Sequence, residues 1–199
     1  MNGRNHTAAG IAVTGMLAAP AVLDLVSGSE HGLFSGFVSA VAVWAFQDVK
    51  GLPAMAAVGA VSVFLCVLGL LLPDIDQEHS TVSKLLRFHI PVAHRGITHS
   101  LWVAMLTFLV AALLWRPLVF LVLGILIHDI LDWPSKAGWV PFYPLGSYKK
   151  VHGTIFSRRH RFVLYSAADP GTETAFAGFV VLACVLIVAF EAYLALWPS

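Results

Sequence analysis

The chain has 199 residues, of which 58% are hydrophobic and 12% charged. Soluble domains carry about 25% charged residues, so this composition describes an integral membrane protein and not a water-soluble domain. A net charge of +1 identifies no partner by itself, and the two cysteines, Cys66 and Cys184, lie inside apolar runs, which excludes a disulfide framework or a CxxC metal site.

The N-terminus, "MNGRNH", carries a single positive charge before an apolar stretch, a weak signal-peptide pattern, and is read as retained. Apolar segments follow at 8–26, 33–47, 53–72, 99–115, 117–131 and 175–197. A bilayer core of about 30 Å takes roughly 20 helical residues. The stretches 53–72 and 175–197 meet that length, and 99–115 and 117–131 come close. Segment 33–47 is short and rich in glycine and serine, and is expected to be re-entrant, tilted or interfacial, packed against its neighbours. Polar connections at 73–98 and 132–174 separate the segments. The second is broken by prolines and glycines, and too long for a simple turn. The expected fold is all-α: one domain over 1–199, a polytopic membrane helical bundle of five to six apolar segments.

Nine of the twelve Lys and Arg residues lie in the two connections: Lys84, Arg87 and Arg95 in the first, and Lys136, Lys149, Lys150, Arg158, Arg159 and Arg161 in the second. If 99–115 and 117–131 form a helical hairpin, both connections share one membrane face, which the positive-inside rule makes cytoplasmic.

The sparse acidic and histidine residues collect at that same face. Asp74 and Asp76 close segment 53–72 in "LLPDID". His94 and His99 flank the start of 99–115 in "HRGITHS", and His128 and Asp132 end 117–131 in "HDILD". Glu173 opens the last segment. His128 and Asp132, four apart, share a helix face and can chelate one cation. Asp74 and Asp76, bracketing Ile75 in a turn, are expected to point the same way. Asp129 is about 100° round the helix from His128 and is left outside the ligand set. Ionisable groups at membrane depth are costly and mark function. Imidazoles and carboxylates without thiolates are the ligands of catalytic zinc, manganese or iron, one ion or two, with zinc the first expectation.

The ordered motifs "LLPDIDxxxS" from Asp74 to Ser80, "HRGITHS", and "HxxxDxxSxxG" from His128 to Gly138 resemble the YdjM-like family of bacterial inner-membrane proteins, described as metal-dependent hydrolases acting on phospholipids. The resemblance covers roughly residues 5–175. It implies that His6, in "NHTAAG", joins the metal ligands and that Glu173 is the family's acidic residue before the last helix. The number of segments matters here. Three crossings before Asp74 would put His6 on the opposite face, and two would bring it to the site.

The functional expectation is a membrane-bound metal-dependent hydrolase of a phospholipid or other lipid-linked phosphate ester, in the bacterial inner membrane with its site facing the cytoplasm. Glu173 is expected as bridging ligand or general base, and Arg95 as a bidentate phosphate contact. The basic runs at 149–150 and 158–161 suit anionic headgroups. No nucleic-acid-binding fold and no protein partner is readable. The alternative is a non-catalytic membrane protein stapled by its metal. A transporter fits less well, because the polar groups gather at one face and not at mid-membrane.

Overall fold

The computed structural model describes residues 5, 7–16, 41, 44–47, 50, 52–135, 139–145, 164 and 169–196. Every regular element among them is helical. We label the helices α1 (Thr7–Met16), α2 (Leu52–Leu71), α3 (Thr81–Leu86), α4 (Leu101–Leu113), α5 (Val119–Asp132) and α6 (Pro170–Leu196). Short 3-10 turns occupy Leu72–Asp76, Ile97–His99 and Arg116–Leu118. The stretch Pro170–Phe190 in α6 is long and apolar enough to cross a membrane, and α1 and α4 are shorter apolar helices. Most of segment 33–47, the weakest of the expected spans, lies outside the described residues.

The central contact is between α2 and α5, and two glycines make it. A Cβ on Gly69 would fall on the Leu121 carbonyl oxygen, and one on Gly124 on the Cys66 carbonyl oxygen. Any larger residue at either position would push the helices apart. Small residues that let backbones touch are how helices associate in lipid, where burial of apolar surface drives nothing. The close approach carries Leu70 to within hydrogen-bonding reach of His128, so the packing of two apolar helices sets up the polar site above them.

Helices α1 and α6 close the other side. Ala9, Cys66, Leu70, Ile127, Leu131 and Ala177 form one buried cluster. The Asn5 side chain bonds Glu173 and Thr174 at the start of α6. That start is well built: Asp169 Oδ1 accepts from the Gly171 amide at 3.0 Å, and Pro170 takes the first turn, where no amide partner is needed. Because Leu70 and Leu131 adjoin the polar turns, Asn5 and Glu173 lie at the same end of the bundle as Asp74 and Asp132.

The α4–α5 hairpin turns at Arg116, and the opposite ends of both helices meet at the polar face. Ser100 occupies the N-cap position of α4, but its hydroxyl bonds the Ile97 carbonyl and the first amide of the helix goes to Pro141. Ser100 therefore gives α4 no side-chain cap. Ser80, the last residue of the "LLPDIDxxxS" motif, is a cap: it accepts from the Ser83 amide at 3.1 Å and starts α3. Large apolar side chains face outward on α4 (Met105, Leu106, Leu109, Leu113) and on α6 (Phe179, Leu182, Leu186, Phe190).

Candidate metal centre

Pro73 is the second residue of the 3-10 turn that ends α2. With three residues per turn, Asp74 and Asp76 stand about 120° apart and do not point the same way, contrary to the expectation from an extended turn. They flank the His99 ring instead. Asp74 Oδ1 is 3.7 Å from His99 Nε2, and Asp76 Oδ2 is 3.6 Å from Nδ1.

His99 is fully buried, and its neighbours determine where its proton sits. The Thr98 hydroxyl donates to Asp76 Oδ2 at 2.7 Å, so its oxygen is left to accept from His99 Nδ1 at 3.1 Å. The neutral ring thus carries its proton on Nδ1 and turns a bare Nε2 inward. Trp139 Nε1 donates to the His99 carbonyl and holds the backbone from the other side.

His128 follows the same logic. Its Nδ1 is 2.7 Å from the Leu70 carbonyl, which can only accept, so Nδ1 donates and Nε2 is the bare nitrogen. Asp132, one turn on, places Oδ2 3.8 Å from that Nε2 and 3.7 Å from His99 Nε2. The shared helix face expected from the i, i+4 spacing is present.

Asp132 is oriented by Arg95. The guanidinium is buried, donates from Nη2 to Asp132 Oδ1 at 2.9 Å and from Nη1 to Ser135 Oγ at 2.6 Å. Arg95 has a φ of 60°, a left-handed backbone that turns the side chain inward. Gly96 must be glycine, since a Cβ there would sit 2.6 Å from the Ala93 carbonyl oxygen. The Arg95 guanidinium, expected as a phosphate contact, is engaged here by the motif residues Asp132 and Ser135.

Among the described residues, two groups of ligand atoms lie close enough to share an ion: Asp74, His99 and His128, and Asp76, His94 and His99. In the first, with Asp132, four acceptors face one another. The two Nε2 atoms are 3.2 Å apart and Asp74 Oδ1 is 3.9 Å from His128 Nε2. A tetrahedral ion with bonds of about 2.0–2.1 Å holds its donors roughly 3.3–3.4 Å apart, so this cage fits an ion of zinc's size with a small contraction. Asp74 and Asp132 supply anionic donors for a cation, with Asp132 sharing its charge with Arg95. The second group is already satisfied by protons. His94 Nδ1 donates to Asp76 Oδ1 at 2.9 Å, and its Nε2 accepts from Gln77, whose amide also holds Asp74 Oδ1 at 2.7 Å.

The remaining expected residues sort as follows. His94 is 40% exposed and supports Asp76. Glu173 is buried in the first turn of α6 and accepts from Asn5, outside both ligand groups. His6 lies outside the described residues. Asp129, set aside on its helical angle, is fully buried, and neither of its oxygens has a hydrogen-bond partner among the described residues. The signal that could have flagged it is a third ionisable residue within five positions of an otherwise apolar helix.

A family model described as YdjM inner membrane protein matches residues 1–197. The chain belongs to that family. No curated protein and no solved structure gave a significant match. Inner-membrane residence therefore comes with YdjM membership, and it accounts for the large apolar side chains that face outward on α4 and α6.

Proposed function

We propose that this YdjM-family protein is a multi-pass, metal-dependent hydrolase of a phospholipid or other lipid-linked phosphate ester, its centre facing the cytoplasm. The observation that carries the reading is the convergence of Asp74, His99, His128 and Asp132, acceptor against acceptor, at the polar end of apolar helices. Zinc is the first candidate by ligand type, with manganese or iron next. The cation would make water nucleophilic near neutral pH and draw charge from a substrate oxygen.

The protein's own residues have separable tasks. Leu70 and Thr98 fix the histidine tautomers, as outer partners of metal ligands do. Arg95 holds Asp132 through Oδ1, and Asp132 Oδ2 faces the two histidine Nε2 atoms. Asp74 is the most open of the four, with 15% of its side chain exposed against 3% or less for the others, and substrate would approach from its side. Asp132 either completes the coordination or accepts the proton of the attacking water. The concentration of Lys and Arg in the two connections supports cytoplasmic sidedness and attraction of anionic lipid. Burial of the other three donors favours the second reading, a metal that only staples helix ends.

The test is metal content by mass spectrometry and lipid-phosphate turnover on purified protein, wild type beside Asp132→Asn and His128→Ala. Near-stoichiometric metal lost in His128→Ala, with turnover in wild type alone, is the expected result. Metal kept but turnover lost in Asp132→Asn assigns the base role. Metal without turnover on any lipid ester leaves the staple. A wild type that takes up no divalent metal after reconstitution overturns both.

A further inference from the structure

The connection from α2 to α4 contains the short helix α3, and its corner is unlike the rest of the polar face. Leu85, Leu86 and Phe88 are 70%, 51% and 59% exposed, within four consecutive residues. Lys84 and Arg87 are interleaved with them and are exposed too. Clustered large apolar side chains mark an interaction surface, whereas scattered ones need no explanation.

The corner is held firmly in place. Ser80 caps the start of α3, and Val82 and Ser83 bury its inner side. Arg87, with a φ of 52°, turns the chain back, and the amides of Arg87 and Phe88 both reach the Ser83 carbonyl. The segment is also bonded to the metal centre. The Ile75 carbonyl, between the two aspartates, accepts from the Ile90 amide at 3.0 Å and from Ser83 Oγ at 3.3 Å. Whatever fixes the depth of the corner fixes the depth of Asp74 and Asp76.

We propose that the Leu85–Phe88 corner is a lipid anchor: Leu85, Leu86 and Phe88 enter the acyl boundary of the leaflet beside the centre, and Lys84 and Arg87 pair with anionic headgroups. The occupant is lipid and not protein on two grounds. The chain belongs to an inner-membrane family, and on the proposed multi-pass reading the helices flanking this connection lie in the bilayer. The apolar tips alternate with cations, the pattern of interfacial segments on anionic membranes. The centre would then be held at headgroup level, where a lipid ester bond lies. The anchor itself does not depend on any hydrolysis.

The experiment is nitroxide depth measurement on the full chain in nanodiscs, with labels at Leu85→Cys and Phe88→Cys. Glu78→Cys serves as the aqueous reference, Leu106→Cys on the outer face of α4 as the lipid reference, and wild type, with Cys66 and Cys184 buried, as the labelling blank. Labels at 85 and 88 that favour oxygen over a water-soluble nickel chelate, as at 106, are expected. Replacing phosphatidylglycerol by phosphatidylcholine, or introducing K84E/R87E, should make the 88 label shallower. Water access equal to that at 78 overturns the anchor. Immobile labels closed to both quenchers overturn it in favour of a protein partner or second copy. A depth unaffected by lipid charge and by K84E/R87E overturns the headgroup pairing.

Discussion

The two sides of the His99 ring use the same residue types and behave differently. On the Nδ1 side, Asp76, Thr98 and His94 match each acceptor with a donor, and the group is complete with protons alone. On the Nε2 side, Asp74, His128 and Asp132 present acceptors to one another, with Nε2 facing Nε2 at 3.2 Å. Proximity of histidines and carboxylates is therefore a poor criterion for a metal site. Tracing where each proton must lie is a better one, and here it distinguishes a cage whose donors can share a cation from a scaffold that steadies it.

That distinction can be broken by substitution on either side of the ring. His128→Ala should have the largest effect, removing bound metal beyond the reach of a competition titration with a chelating dye. Arg95→Met comes next. Breaking a buried pair strands Asp132 and should cost about 3–5 kcal/mol, read as a lowered melting temperature in detergent. Asp76→Asn keeps the shape but weakens the support on Nδ1, and metal affinity should fall about 10–100-fold with folding retained. His94→Gln should be the mildest. Loss of one half-exposed hydrogen bond is worth about 1 kcal/mol, a few-fold in affinity by the same titration. If Asp76→Asn and His94→Gln empty the protein as His128→Ala does, the ion sits on the other side of the ring and the comparison is reversed.

Much of this arrangement was legible in the sequence. The apolar segments located α2, α4, α5 and α6 to within a few residues, and the i, i+4 spacing placed His128 and Asp132 on one face. Three features were not. The 3-10 geometry after Pro73 separated Asp74 from Asp76, since residue types alone do not distinguish it from an extended turn. The inward course of Arg95 depends on a left-handed backbone that a non-glycine residue does not advertise. Asp129 was judged by its angle from His128, although an angle does not say what covers that side of the helix. Its buried, unbonded carboxylate is a feature for which the described residues offer no physical account.

The glycine crossing of α2 and α5 has a mechanical consequence. It is a fulcrum placed close to one end of both levers. Gly124 is about 6 Å along the axis from His128, whereas Leu52 is about 25 Å from Gly69. Helices adjust their tilt to bilayer thickness. Rocking by about 5° around this pivot swings the far end of α2 by about 2 Å and His128 by only about 0.5 Å. On the proposed multi-pass reading, the distal ends would follow a membrane that thins or thickens, while the spacing of the donor atoms stays nearly constant.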